Sequence, residues 1–354
     1  MSETTIENRI KPEVLAQPVY RVKTPAHRIK LNQNECPWDW PQALKAEVTD
    51  RLAETAWNRY PSLIPERLKV QLADRLAVSA DQIIIGKGSN EVLQALFRIT
   101  LQPLDVVCTL SPTFAVYRLL AEQHQARLAA SPLSADFQVN PDDLSDRSAE
   151  ARLTILCSPN SPTGTLVPIE TIEQVATNAR GLVVVDEAYA DFSRVTALPL
   201  LERCPDLIIT RTFSKAFALA GFRLGYAVMG RELAQEVQKG LLPFNVDLAS
   251  QVAAEVLLDH TDLVEERITS LIRERDQLIA RLNRLPGVTA WPSQANFFLL
   301  STLLSARETF EGLAEQGILV RDVSGYPGCA SVVRVTVGTP EENEALVQAL
   351  ERMV

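Results

Sequence analysis

The chain has 354 residues, 46% hydrophobic and 22% charged, and 35 Lys and Arg against 44 Asp and Glu leave a formal net charge of −9. That apolar content excludes a disordered chain, and at about 150 residues per domain the length suggests two domains. The acidic balance excludes general attraction to nucleic acid or anionic membranes, and the longest apolar runs, at 182–185 and 216–222, fall far short of the roughly 18–20 residues that span a bilayer.

The first 30 residues hold Pro12, Pro18 and Pro25 with little periodicity, and read as an arm laid on another surface. Glu3, Glu7, Arg9 and Lys11 leave no apolar run for a secretory signal, so a soluble, cytoplasmic protein is expected. From about 82 to 229, short apolar, β-branched runs alternate with helical stretches. Strands are expected at 82–85, 105–110, 153–157, 182–185, 207–210 and 224–228. Most are continuous apolar runs, which suit a sheet covered on both faces. Helical periodicity puts Val92, Leu93, Leu96 and Phe97 on one stripe of 90–100, and Ile172, Val175, Ala176 and Ala179 on one stripe of 169–179. The alternation predicts βαβ units and an α/β fold with a mostly parallel central sheet flanked by helices.

Residues 248–285 read as a long amphipathic helix with a break near 260–262. Pro286 and Gly287 then introduce short strands at 287–290, 296–300 and 332–337, with helices at 308–316 and 341–353. The expected layout is an arm (1–30), a large domain (31–250) and a smaller α+β domain (251–354) that packs with part of the N-terminal segment.

Five cysteines (Cys36, Cys108, Cys157, Cys204, Cys329) are scattered without a C-x-x-C pair, so reduced thiols are expected rather than disulfides or a zinc site. His27, His124 and His260 lie far apart with no metal-ligand spacing, and no bound metal is expected.

Gly86-Lys87-Gly88-Ser89-Asn90-Glu91 follows an expected strand and opens an expected helix. Backbone N–H groups at a helix start, with the positive end of its dipole, suit a phosphate, and glycines let that backbone approach closely. A plain turn with Ser89 as N-cap is the other reading. The chain runs through Asn90, Glu91 and Val92 without the third small residue of a dinucleotide fingerprint.

The apolar run 182–185 ends in Asp186-Glu187-Ala188-Tyr189. A carboxylate at the C-terminal end of a buried parallel strand faces the crevice where α/β sheets bind ligands, and could hold a ring nitrogen protonated. A magnesium site would need a G-x-x-x-x-G-K-[ST] loop, which is absent; a solvated strand end is the remaining alternative. After the next strand, Lys215 stands among Phe213, Ser214, Ala216 and Phe217. An amine that loses hydration there has its pKa pushed down and can attack an aldehyde. A lysine, a carboxylate and a helix-start anion site together suit pyridoxal 5′-phosphate.

The segments Asn58-Arg-Tyr60-Pro61, Ser158-Pro-Asn160-Ser-Pro-Thr-Gly164, Asp186-Glu-Ala-Tyr189 and Ser214-Lys-Ala-Phe-Ala-Leu-Ala-Gly-Phe-Arg223 resemble those of fold-type-I pyridoxal-phosphate aminotransferases. Within that superfamily the chain is similar to the histidinol-phosphate aminotransferases, in order from about Leu31 to Gly338. The resemblance implies that Lys215 holds the cofactor covalently, Asp186 pairs with its ring nitrogen, Tyr189 bonds its 3-oxygen and Phe114 stacks on its face. Gly88, Ser89, Asn90, Ser214 and Arg223 would hold its phosphate, with Tyr60 reaching the phosphate of a neighbouring subunit in a two-fold homodimer. Arg334 would bind an anionic substrate group, and Arg321 and Tyr20 the substrate phosphate.

The implied reaction is transamination between L-histidinol phosphate and 2-oxoglutarate, giving imidazole-acetol phosphate and glutamate in histidine biosynthesis. An aromatic-amino-acid aminotransferase, a threonine-phosphate decarboxylase of the same fold and a non-catalytic regulatory relative are the alternatives. Read without the resemblance, Arg321 and Arg334 are surface cations, Phe114 and Tyr117 are core, and Tyr60 caps a loop. One position departs from the superfamily: Ser161 stands where its Asn-Pro-Thr-Gly motif has the asparagine that donates to the 3-oxygen. The expected substitute is Asn160, one position earlier, because neighbouring strand-end residues point to opposite sides.

Overall fold

A computed structural model describes residues 9–19 and 24–353. After a two-residue strand, β1 (Ile29–Lys30), seven strands build one sheet: β2 (Ile83–Gly86), β3 (Val106–Ser111), β4 (Arg127–Pro132), β5 (Leu153–Cys157), β6 (Leu182–Asp186), β7 (Leu207–Thr212) and β8 (Gly225–Met229). Their spatial order is β2-β8-β7-β6-β5-β3-β4. The pairs from β4 to β7 are parallel, and β8 runs antiparallel to both β2 and β7.

Every residue of β5 and β8 is buried, as their continuous apolar runs require of strands covered on both faces. Side-chain alternation divides the core between those faces. Val184 and Ile208 pack in the cluster that includes Val92 and Leu96 of helix Ser89–Thr100. Val183, Val185 and Ile209 pack on the opposite face with Ile172 and Val175 of helix Ile169–Asn178. The edge strand β4 is absent from the sequence expectation: it is mostly exposed or half-buried and carries no apolar run.

The C-terminal part holds β9 (Thr289–Ala290), β10 (Phe297–Ser301), β11 (Ile318–Leu319), β12 (Arg321–Asp322) and β13 (Val333–Thr336). Four of these form an antiparallel sheet in the order β12-β13-β10-β9, while β11 pairs in parallel with β1. The long helical stretch is two helices, Leu248–Leu258 and Thr261–Leu282, separated where the break is expected. The expected divide at 250/251 thus falls inside the first of them. Capping boxes at Ser305/Glu308 and Thr339/Glu342 start helices Ala306–Glu315 and Pro340–Glu351. One buried cluster runs from Ile29 and Leu31 through Phe213 and Tyr226 to Phe297, Val335 and Leu350, so the small sheet and the large sheet share a core. Among the described residues no helix is long and apolar enough to cross a membrane.

A buried ion pair fixes the turn after β6. Glu187, 2% exposed, receives bonds from Arg211 Nη2 at 2.7 Å and Nε at 3.0 Å, and from the Ala197 backbone N–H at 2.6 Å. Removing one partner of such a pair strands a buried charge. Arg211→Ala should therefore destabilise the protein by about 3–5 kcal/mol in urea unfolding; a loss below about 1 kcal/mol, the surface value, would show that the pair does not hold this turn.

Candidate active site

The C-terminal ends of the parallel strands open on one crevice. β6 ends in Asp186, β7 leads through Ser214 to Lys215, and β2 leads through Gly88 to helix Ser89–Thr100. A cavity of 140 Å³ lies between Ser89, Asn90, Phe114, Asp186, Lys215 and Arg223. A second, of 470 Å³, shares Phe114, Ser161, Tyr189, Ser214, Lys215 and Arg223 with it and extends to Arg321 and Arg334.

One end is built for an anion. Gly88 has φ +84°, and a Cβ there would lie 3.0 Å from Arg223 Nη2. Gly225 lets β8 approach the helix start, since a Cβ on it would lie 2.2 Å from the Ser89 backbone nitrogen. Arg223 Nη1 donates to Ser214 Oγ and to the Ala220 carbonyl, each at 3.1 Å. Helix-start N–H groups beside a guanidinium form an anion cradle.

Asp186, 3% exposed, lines the same cavity. Its Oδ2 accepts from the Tyr117 hydroxyl at 2.7 Å and its Oδ1 from the Ala188 N–H at 3.2 Å, while burial raises its pKa. Phe114 lines the cavity and meets Tyr117 edge-on, ring centroids 5.5 Å apart. Tyr117 is core, yet it also carries a bond to a site carboxylate.

Lys215 Nζ donates to the Gln33 carbonyl at 2.8 Å and lies 5.8 Å from the centre of the Tyr189 ring. Burial, with the positive field of Arg334 second, lowers its amine to about 7. Burial raises the Tyr189 phenol to about 12. Arg334 Nη1 donates to Ser161 Oγ at 3.1 Å and Nη2 to the Asn32 carbonyl at 2.9 Å, with its guanidinium 5.1 Å from the Phe297 ring centre. Arg321 and Arg334 are directly opposed in the β12–β13 ladder and line one cavity.

One expectation meets a different geometry. Asn160 does not reach into the crevice: its Nδ2 donates to the Pro112 carbonyl at 3.0 Å and Thr163 Oγ1 at 2.9 Å, and its Oδ1 accepts from Thr113 at 2.7 Å. The residue on the cavity wall is Ser161. Strand alternation fails there because Asn160 lies beyond β5, in a turn that its amide braces. Tyr60 is 81% exposed and stacks on Phe244 at 4.7 Å, away from this chain's cavities. Tyr20 lies outside the described residues. The segment Asn32-Gln33-Asn34 carries no local sequence signal for the crevice, because its partners lie far along the chain.

Residues 26–350 match the family model described as Aminotransferase class I and II. The chain belongs to that family. This aminotransferase is 35% identical over 348 residues to the histidinol-phosphate aminotransferase of Prosthecochloris aestuarii, covering 97% of each chain. It is 36% identical over 342 residues to that of Thermococcus kodakarensis, again 97% of each. Among solved structures it is similar to histidinol-phosphate aminotransferase from Sinorhizobium meliloti in complex with pyridoxal 5′-phosphate, with a TM-score of 0.86, 24% identity and 97% of each chain covered.

The aminotransferase depends on pyridoxal 5′-phosphate, and the crevice fits that cofactor on its own geometry. The anion cradle at Gly88, Ser89 and Arg223 suits a phosphate, buried Asp186 suits a protonated ring nitrogen, and the half-buried Lys215, its amine lowered to about 7, suits an aldehyde. Only a neutral amine attacks an aldehyde, and a lowered pKa makes Lys215 neutral above about pH 7. The rate at which Lys215 captures the cofactor, followed by the growth of visible absorption, should climb through about pH 7 and level off above it. A midpoint near the ordinary lysine value, about 10.4, would show that burial leaves this amine unchanged.

Proposed function

We propose that this aminotransferase exchanges an amino group between L-histidinol phosphate and 2-oxoglutarate, releasing imidazole-acetol phosphate and glutamate. The observation that carries this reading is the opposition of Arg321 and Arg334 across one ladder, both on the cavity that holds Lys215. Like charges directly opposed destabilise a sheet, so this pair fits a strongly anionic ligand. Planar guanidinium groups bind phosphate and carboxylate alike, which suits one site serving both substrates. The full-length similarity to histidinol-phosphate aminotransferases points the same way.

Pyridoxal 5′-phosphate supplies an aldehyde and an electron-withdrawing ring. Gly88, Ser89, Asn90, Ser214 and Arg223 hold its phosphate, and Phe114 covers a ring face. Asp186 keeps the ring nitrogen protonated; its buried charge is best offset by a cation at that point. Tyr189 donates toward the 3-oxygen, with Ser161 rather than Asn160 on the same wall. Lys215, with its amine near neutrality, takes the proton from the donor's Cα. Arg334 binds the anionic group common to both substrates; Arg321, and Tyr20 from the arm, contact the phosphate of histidinol phosphate.

The protein acts as a homodimer in which Tyr60 reaches the phosphate site of its neighbour. Supporting this, Trp57 (76% exposed), Tyr60 and Leu63 (56%) leave apolar side chains on the surface, and Tyr60 stacks on Phe244. A cytoplasmic location agrees with five free cysteines.

The deciding experiment follows visible absorption: histidinol phosphate should discharge the band and 2-oxoglutarate restore it. Discharge by tyrosine or phenylalanine but not by histidinol phosphate would replace this substrate with an aromatic one. Arg334→Ala should raise KM for both substrates by about tenfold or more, the cost of a charge-assisted bond. Arg321→Ala should raise it chiefly for histidinol phosphate; equal effects on 2-oxoglutarate would remove its phosphate role. Lys215→Ala should lower kcat by at least about 10²–10⁴ while the protein stays folded, and near-normal turnover would end the account.

A further inference from the structure

Three consecutive residues after Leu31 each touch a different side chain of the crevice. The Asn32 carbonyl accepts from Arg334, the Gln33 carbonyl accepts from Lys215, and Asn34 Nδ2 donates to the Tyr189 hydroxyl oxygen at 2.9 Å. The first two contacts use backbone and tolerate many side chains. The third needs this side chain and this orientation of its amide.

That orientation is fixed by a chain of donors and acceptors. The Asn34 backbone N–H donates to Thr336 Oγ1 at 2.9 Å, and the Thr336 hydroxyl donates to Asn34 Oδ1 at 3.1 Å. Oδ1 therefore faces Thr336 and Nδ2 faces Tyr189. Asn34 sits at φ +56° with its carbonyl accepting from Asn296 Nδ2 at 3.1 Å, so the backbone carrying the amide is held as well. Asn34, Tyr189 and Thr336 are all buried. An amide nitrogen can only donate, so the Tyr189 oxygen accepts from it and the phenolic hydrogen must leave in another direction. Phe297 packs edge-on against the ring at 4.9 Å, and Tyr189 lines the cavity with Lys215.

We propose that Asn34 is a positioning residue that sets the polarity of the Tyr189 hydroxyl, so that its hydrogen is presented to the ligand in the crevice. This rests on the cofactor assignment above. Thr336 locks the amide, Asn34 donates to Tyr189, and Tyr189 donates to the ring oxygen of the bound cofactor. The relay matters more here than it would beside a longer neighbour, because Ser161, which lines the same cavity, has a short side chain.

The test reverses the polarity. In Asn34→Asp a carboxylate, which only accepts, draws the Tyr189 hydrogen toward position 34 and away from the cavity. The readout is the pH midpoint of the visible absorption of the holoenzyme, beside kcat. The midpoint should rise by about one pH unit, the scale of one hydrogen bond to a charged group, and kcat should fall by about tenfold for the same lost bond. Tyr189→Phe should shift the midpoint in the same direction, and adding Asn34→Asp to it should shift it no further. An Asn34→Asp shift that persists in the Tyr189→Phe background would reveal a simple charge effect and overturn the proposal. So would an unchanged midpoint in Asn34→Asp. Should that variant fold poorly, Thr336→Val keeps the amide, frees its rotation and should give a smaller rise of the same sign; no rise would again count against the relay. A wild-type protein that develops no visible band with saturating pyridoxal 5′-phosphate is a separate result, and would overturn the cofactor assignment itself.

Discussion

The chemistry of this crevice depends on keeping a half-buried amine and a buried carboxylate apart. Had Lys215 and Asp186 paired, each would have neutralised the other in the low-dielectric interior and both would be inert. Each instead has a neutral partner: the Gln33 carbonyl for Lys215, the Tyr117 hydroxyl for Asp186. Desolvation then acts on them separately, pushing the amine down and the carboxyl up. Both residues line the 140 Å³ cavity, yet each hydrogen-bonds a neutral group rather than the other.

The scaffold for this separation was legible in the sequence where burial alone decides structure. β5 follows its apolar run residue for residue, and the helix break near His260 announces itself by polarity. The residues of the crevice could be read because a glycine turn, a carboxylate and a lysine follow β2, β6 and β7, strands that run the same way in one mostly parallel sheet and end at one edge. β4 was not legible, since an edge strand half open to water needs no apolar run. Nor was the choice between Asn160 and Ser161. Alternation holds along a strand, but the chain has already left β5 there, and the amide of Asn160 is used up in bracing the turn.

The crevice draws its cations from two sources. Arg223 sits just before β8 of the large sheet, beside the start of helix Ser89–Thr100. Arg321 and Arg334 belong to the small sheet and face each other across it. An anionic substrate bound to the second pair and reacting beside Lys215 must bridge the two sheets, which ties binding to their shared core.

The strap at Asn32–Asn34 has a consequence for assembly. It joins β1 to side chains 155, 182 and 302 positions further along the chain. These contacts close long stretches of polypeptide, so local structure alone does not bring them together. The large sheet can complete its hydrogen-bonded ladder without β1 or β13, yet the pocket it carries stays unfinished until the first strand docks beside β11. The surroundings of the Lys215 amine are thus non-local: the segment that supplies its carbonyl partner lies near the other end of the chain from the arginine beside it.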